Sequence, residues 1–252
     1  MRVVACVVKD NITCEKDAKL LMEKCLQDSM EATLVVMPAL IGFYFENFLY
    51  TAKCLSKKYS NMYVCFGSYI EDGKHASFIM KEGEIILKQY QIYLSSWERE
   101  MGFMKGDDLE IVNINGFKIA IVLSTDAFYP QVSRYVAIKG VDLVLTPIAI
   151  RKEIFSIARQ ISGMWMNTQI NLFFAVESGF KGKWNRMDFR SISMIHAPLE
   201  ITKNGTGLLD VEMGNKTILD VELDSFDREK ARKIFDPLKH LNVDFYLKEE
   251  LF

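Results

Sequence analysis

The 252 residues predict an α/β fold in which helices lie over a sheet. Short apolar runs of strand length alternate with amphipathic helical stretches almost to the C-terminus. Half of the residues are apolar and 12% are aromatic, which excludes a disordered chain and supplies material for a sizeable core. No linker rich in Gly, Ser or Pro divides the chain, so one domain over residues 1–252 is expected.

Val3 to Val8 reads as a buried strand. Glu15 to Met30 follows as a helix, with Ala18, Leu21, Met22, Cys25 and Met30 on one stripe. Leu34-Val35-Val36-Met37-Pro38 is a short strand, and an aromatic helix is expected from about Phe43 to Tyr59. Strands near Tyr63 to Ser68 and Ser77 to Leu87 flank the polar turn Glu71-Asp72-Gly73-Lys74. Glu110 to Ile114 and Phe117 to Leu123 form a hairpin about Asn115-Gly116, a pair suited to the positive φ of a tight turn. Helix Gln131 to Lys139 leads into strand Asp142 to Thr146, and helix Lys152 to Met166 into strand Asn171 to Val176. Strands Ser191 to His196, Leu208 to Glu212 and Thr217 to Glu222 and a helix from Phe226 to about Phe235 close the pattern. The segments Thr33 to Ile41 and Asp142 to Ile150 echo each other, each a strand running into Pro, as a two-fold repeat would produce.

Composition narrows the partners. With 31 basic against 33 acidic side chains there is no basic footprint, so neither nucleic acid nor an anionic membrane is an expected partner. Apolar runs fall well short of the roughly 18 residues of a spanning helix, and Val3 to Val8 is too short for a signal-peptide core. The five cysteines Cys6, Cys14, Cys25, Cys54 and Cys65 lack C-x-x-C spacing, which points to a reducing, cytoplasmic compartment rather than a disulfide or zinc scaffold. His75, His196 and His240 are unpaired at helical spacing, so neither a metal nor a cofactor is expected. His75 is read as part of a polar stretch that runs from a turn into a strand. Neither a P-loop nor a Gly-x-Ser-x-Gly elbow occurs.

The run Ile119-Ala-Ile-Val-Leu-Ser-Thr-Asp-Ala-Phe-Tyr-Pro130 draws chemical interest. A buried strand that ends in Ser124 and precedes a Pro-started helix is where α/β enzymes hold a nucleophile. The competing reading is that Ser124 caps the strand and Asp126 caps the helix near Pro130. A serine nucleophile also needs a base, and no histidine is near in sequence.

These residues, with Leu34-Val35-Val36-Met37-Pro38, Gly106-Asp107 and the hairpin, Gly140-Val141-Asp142-Leu143-Val144-Leu145 and Phe189-x-x-x-Ser193-x-Ile195-x-x-Pro198, resemble the nitrilase superfamily of carbon-nitrogen hydrolases over nearly the whole chain. Ser191 stands where that family usually has Gly, and Val221 to Asp224, the helix and Asp244-Phe245-Tyr246 resemble its closing segment. The resemblance implies a four-layer α-β-β-α sandwich with internal pseudo-two-fold symmetry and a Glu-Lys-Cys triad. At the three triad positions this chain has Ala39, Gln91 and Ser124. A methyl group, a neutral amide and a weakly acidic hydroxyl leave no activated nucleophile. Lys88 is the alternative lysine, but three residues along a strand turns it to the opposite face.

The implied reading is a carbon-nitrogen hydrolase-like protein that is non-catalytic and acts in binding or assembly. The alternative is a hydrolase or acyl transferase for amides, carbamoyl compounds or nitriles, with a rearranged site using Ser124 with Lys88 or Glu98. Glu98, Thr125, Tyr44 and Trp97 are the expected pocket residues, and a small amide or carboxylate is the expected ligand class. The aromatic run Phe43-Tyr44-Phe45 lines the pocket mouth or belongs to the core, and Trp97 covers the pocket or fills a gap. By resemblance a homo-oligomer, a dimer or larger, is expected through helices of the second half, near Met164, Trp165 and Met166. The charged stretch Lys248 to Glu250 reads as a solvated end.

Overall fold

A computed structural model describes residues 1–242. The first half holds β1 (Arg2–Cys6), α1 (Glu15–Asp28), β2 (Leu34–Val36), α2 (Phe48–Lys58), β3 (Tyr63–Cys65), β4 (Tyr69–Glu71), β5 (Lys74–Lys81), β6 (Glu84–Tyr90) and α3 (Ser96–Glu100). Next come β7 (Ile111–Ile114), β8 (Phe117–Ile121), α4 (Pro130–Ile138), β9 (Leu143–Ile148), α5 (Ile157–Ile161), α6 (Met164–Asn171) and β10 (Phe174–Gly179). The remainder is β11 (Lys181–Trp184), β12 (Met187–Arg190), β13 (Met194–His196), β14 (Leu208–Val211), β15 (Ile218–Glu222) and α7 (Ser225–Ile234).

Two sheets form. One runs β15-β1-β2-β3-β5-β4, with β6 on β5, and the other runs β14-β13-β10-β9-β8-β7. In the first, β1, β2 and β3 are parallel, flanked by antiparallel β15 and β5. In the second, β8, β9 and β10 are parallel, flanked by antiparallel β7 and β13. The two halves therefore repeat one pattern, with β2 matching β9, the pair of segments that echo in sequence.

The central strands of both sheets are largely apolar on both faces because each sheet is covered twice. Val3, Ala5, Leu34 and Val36 pack against Ile119, Ile121, Leu143, Leu145, Phe174 and Val176 between the sheets. Val4, Cys6, Val35 and Val64 face the α1 and α2 side with Met22, Leu26 and Leu55. Ala120, Val144 and Ala175 face the α4 and α6 side with Val136 and Met164. The result is the expected four-layer α-β-β-α sandwich.

Several elements differ from their sequence-based expectation, each for a local reason. The helix expected from Phe43 begins only at Phe48: Leu40 adopts φ 58°, a 3-10 turn covers Ile41–Tyr44, Phe45 is extended, and the Asn47 side chain then caps α2 by accepting from the Tyr50 N–H at 3.2 Å. The strand expected over Ser77 to Leu87 is a hairpin, because Glu82 and Gly83 take φ of 52° and 85° and turn the chain between paired Lys81 and Glu84. The helix expected over Lys152 to Met166 is two short helices. Ser156 starts α5 by accepting from the Arg159 N–H, and the chain breaks at Gly163, where a Cβ would lie 3.0 Å from the Phe128 ring. Phe189 and Arg190 belong to the hairpin β11–β12, so β13 starts at Met194 rather than Ser191. The readings of Asp244 to Tyr246 and Lys248 to Glu250 fall outside the described residues.

Candidate functional site

Ala39, Gln91 and Ser124 follow β2, β6 and β8, so two of the three leave the carboxyl ends of parallel strands, where open α/β layers place their chemistry. The turns there are tight. Gly67, with φ +70°, lies under Pro38 so closely that a Cβ would be 2.0 Å from the Pro38 carbonyl oxygen. This approach sets Ser68 beside Leu40, whose N–H donates to Ser68 Oγ at 2.7 Å.

From Ser68 a buried chain of hydrogen bonds runs to Gln91. Ser68 Oγ is 2.7 Å from His75 Nε2, and His75 Nδ1 is 2.6 Å from Glu98 Oε1. The second Glu98 oxygen accepts from Gln91 Nε2 at 2.7 Å and from the Ser95 N–H and hydroxyl at 2.7 and 2.6 Å. Ser68, His75, Gln91 and Glu98 are all fully buried. Burial raises the Glu98 pKa, but the hydrogen bond and charge of His75, joined by Ser95, outweigh it and hold the carboxyl below its ordinary value. Gln91 also donates to the Tyr93 carbonyl at 2.9 Å, which leaves its Oε1 buried and unpartnered.

Ser124 has φ 47° and opens a 3-10 turn to Phe128. Its hydroxyl donates to the Ala149 carbonyl at 3.2 Å and accepts the Ala149 N–H at 3.4 Å. Asp126 does not cap the helix at Pro130. Its carboxylate instead accepts from the Ile92 and Tyr93 N–H groups, at 2.7 to 3.2 Å, and so ties the Ser124 turn to the segment just after Gln91. Burial pushes Asp126 up to about 7 against the pull of those two N–H groups, with the Glu98 charge adding to the rise. Hydrogen bonds of immediate neighbours thus link the loops that carry residues 39, 91 and 124.

The other expected residues have distinct places. Lys88 is held by both Glu71 oxygens at 2.8 Å, with Tyr69 and Tyr90 hydroxyls on the same carboxylate, so its ammonium serves Glu71. Tyr44 sends its hydroxyl to the Lys183 and Ile12 carbonyls at 2.6 and 3.1 Å. Thr125 is half-buried in the 3-10 turn. Trp97 is buried in a ring cluster that roofs His75: Phe43 lies 5.0 Å edge-on to the imidazole, Phe103 packs 5.8 Å from Trp97, and Trp184 lies 4.9 Å from Phe43. Ser68 and His75 are the members that the sequence reading missed. The turn-to-strand stretch that holds His75 is the start of β5, with His75 its second residue, and nothing local to it marks Ser68 and Glu98 as its partners.

Two clefts open elsewhere. One, of about 330 Å3, is walled by Phe43, Phe45, Phe48 and Tyr69, and the other, of about 280 Å3, lies between Lys9, Asp17, Leu21 and Cys25. Neither is lined by residue 39, 91 or 124. Among the described residues no group of three or more His, Cys, Asp or Glu side chains could hold a metal, and no helix is long and apolar enough to cross a membrane.

No protein-family model matches the chain. Probable hydrolase YhcX of Bacillus subtilis is 26% identical over 222 residues, 81% of this chain and 42% of that protein. The chain thus spans less than half the length of this curated relative. An amidase of the nitrilase superfamily from Nesterenkonia sp. AN1, in a mutant form that carries the acetamide moiety of fluoroacetamide on its active-site cysteine, matches with a TM-score of 0.77 at 16% identity, over 98% of this chain and 96% of its own. A carbon-nitrogen hydrolase from Helicobacter pylori G27 matches with a TM-score of 0.78 at 17% identity, over 98% and 97%. The likeness to these solved structures is one of fold.

Proposed function

Starting from a chain with the fold of the nitrilase-superfamily carbon-nitrogen hydrolases, we propose a non-catalytic protein that keeps this fold for binding or assembly. The observation that carries the reading is Ser124. Its hydroxyl is engaged with the Ala149 backbone, and no carboxylate or amine bonds to it among the described residues. At neutral pH an alcohol needs such a base to attack a carbonyl. Position 39 offers only a methyl group, and Gln91 is a neutral donor already committed to Glu98 and Tyr93. Lys88 is committed to Glu71 and Glu98 to His75, which speaks against a rearranged site built from either with Ser124.

The connectivity Ser68–His75–Glu98 is that of a serine nucleophile, its base and an orienting carboxylate. Its surroundings oppose that use: Ser68 and His75 have no exposed surface, the ring cluster covers the imidazole, and Ser68 Oγ already accepts from Leu40.

The purified protein is expected to release no ammonia from a panel of amides, carbamoyl compounds and nitriles, and a fluorophosphonate is expected to leave Ser68 and Ser124 unlabelled. Release that Ser124→Ala or Ser68→Ala abolishes, or labelling of either serine, overturns the reading. The triple variant Ala39→Glu, Gln91→Lys, Ser124→Cys is expected to gain iodoacetamide reactivity at residue 124 at neutral pH. If that thiol is inert, the positional correspondence is wrong.

Of the two roles, assembly draws support from a closed site and from the outer helices. On α4 and α6, which pack side by side, Tyr135, Ile138, Met166 and Ile170 are apolar and 37–58% exposed. A second copy of the chain is the proposed occupant. Binding of a small amide is favoured by one observation, the unpartnered Gln91 Oε1, which accepts from an N–H but repels a carboxylate. Acetamide should raise the unfolding midpoint where acetate does not, and Gln91→Leu should remove the difference.

A further inference from the structure

Between α6 and the second sheet lies a polar layer that meets the Ser124 turn through one bond, from the Asn167 amide to the Ala127 carbonyl. Thr146 on β9 and Glu177 on β10 are direct cross-strand partners, and His196 on β13 lies opposite Ala175. Side chains alternate along a strand, so Thr146 shares the face of Val144, while Glu177 and His196 share that of Ala175, the face that packs toward α6. The buried side of α6 brings Asn167, Thr168 and Asn171 down onto this face, and all six residues are fully buried.

Glu177 Oε2 and His196 Nε2 are 2.8 Å apart. Asn167 spends its NH2 group on the Ala127 and Gly163 carbonyls, and Asn171 spends its own on the Asn167 carbonyl, which settles the orientation of both amides. Left without a partner are Glu177 Oε1, Asn167 Oδ1, Asn171 Oδ1, Thr146 Oγ1, Thr168 Oγ1 and His196 Nδ1. Five are oxygens, three of which can only accept, and one belongs to a carboxylate. Buried polar atoms of native proteins are satisfied by some partner, and a set this rich in acceptors calls for positive charge or several N–H donors. Carboxylate, carbonyl and hydroxyl oxygens are hard ligands. With His196 as a neutral imidazole that donates from Nε2 and leaves Nδ1 bare, the one carboxylate balances one unit of charge, so a divalent ion would remain uncompensated in a dry interior.

We infer that this layer is a monovalent-cation site, built from Glu177, Thr146 and the two amide oxygens of α6, for a potassium or ammonium ion. The ion would fasten α6 to the β9–β10–β13 face. It is independent of the role proposed for the Ser124 loops, because none of its oxygens belongs to them.

The test is thermal unfolding of the full chain in tetramethylammonium chloride, replaced stepwise at constant ionic strength by potassium, ammonium, sodium or lithium chloride. A saturable rise of roughly 5–10 °C at a hundredfold excess over Kd is expected for potassium or ammonium, with lithium ineffective. Whichever of the two acts at the lower concentration is the ion selected. Glu177→Gln, and independently Thr146→Val, should keep native circular dichroism and lose most of the rise. Crystals soaked in a thallium(I) salt should show an anomalous peak beside Glu177 Oε1. Equal midpoints in all five salts, a rise that survives in Glu177→Gln, or no thallium peak overturns the inference and leaves ordered water as the occupant.

Discussion

At the scale of single residues the site is held by mutual commitment of polar groups. Glu98 is a fully buried carboxylate whose charge is met by His75, Gln91 and Ser95. Replacing His75 by Phe removes the largest of these partners while keeping ring volume. Unfolding by urea should show a loss of about 3–5 kcal/mol, the cost of leaving a charge buried without its counterpart. Ser68→Ala should cost only about 1–2 kcal/mol, the loss typical of one buried hydrogen bond. Similar losses in both variants would mean that His75 does not neutralise Glu98.

Asp126 makes a prediction of its own. Its folded pKa, about 7, lies above the ordinary carboxylate value, so the folded protein binds this proton more tightly than the unfolded chain. The contribution is therefore fully present below about pH 4 and is lost as pH rises through about 7, on the order of 4 kcal/mol in all. Asp126→Asn keeps Oδ1, the oxygen that accepts from both the Ile92 and Tyr93 N–H groups, but cannot ionise. The stability of the variant relative to wild type should rise steadily between pH 4 and pH 7, as read by chemical denaturation at each pH. A constant difference would show that Asp126 is ionised in the folded protein throughout.

At the scale of elements, β-turn and loop geometry decides where the site groups stand. Gly67 matters most, because both its φ of +70° and its 2.0 Å Cβ approach to Pro38 exclude a side chain. Gly67→Ala should cost about 2–4 kcal/mol and separate the loops after β2 and β3, with faster amide exchange at Leu40 as the readout. Much of this level was legible in advance. Asn115-Gly116 marked the β7–β8 hairpin, and the helix expected over Gln131 to Lys139 lies within one residue of α4 at each end. Glu82-Gly83 and Gly163 were overlooked, the first because a charged residue rarely takes positive φ. The second is a glycine whose break depends on Phe128 from a distant turn.

At the scale of the whole molecule the α4 and α6 face makes a quantitative claim about association. If a second copy covers it, light scattering at tens of micromolar should give twice the chain mass. The double variant Ile138→Glu, Ile170→Glu should then give a monomer with unchanged circular dichroism, since both side chains are exposed in the single chain. A wild type that is already monomeric removes the assembly role through this face and leaves binding as the remaining reading. The α/β class was readable from the alternation of strand and helix, whereas the four layers and the two-fold meaning of the β2 and β9 echo were implied by the family resemblance. Each sheet is covered on both faces, and such strands are almost wholly apolar wherever they stand in the chain.

What the sequence determined alone was the set of chemical groups at residues 39, 91 and 124, together with a regular alternation of elements sufficient for the α/β class. Those are properties of residue type and local periodicity, which no packing can alter. What only the tertiary structure decided was how the remaining groups pair: that His75, at the passage from a turn into a strand, sits between Ser68 and Glu98, that Lys88 belongs to Glu71, and that Asp126 binds a neighbouring loop instead of capping its own helix. These pairings span between 7 and 34 residues of chain. A partner is chosen by whichever donor or acceptor the folded layers bring within about 3 Å, and that proximity is written in no local pattern.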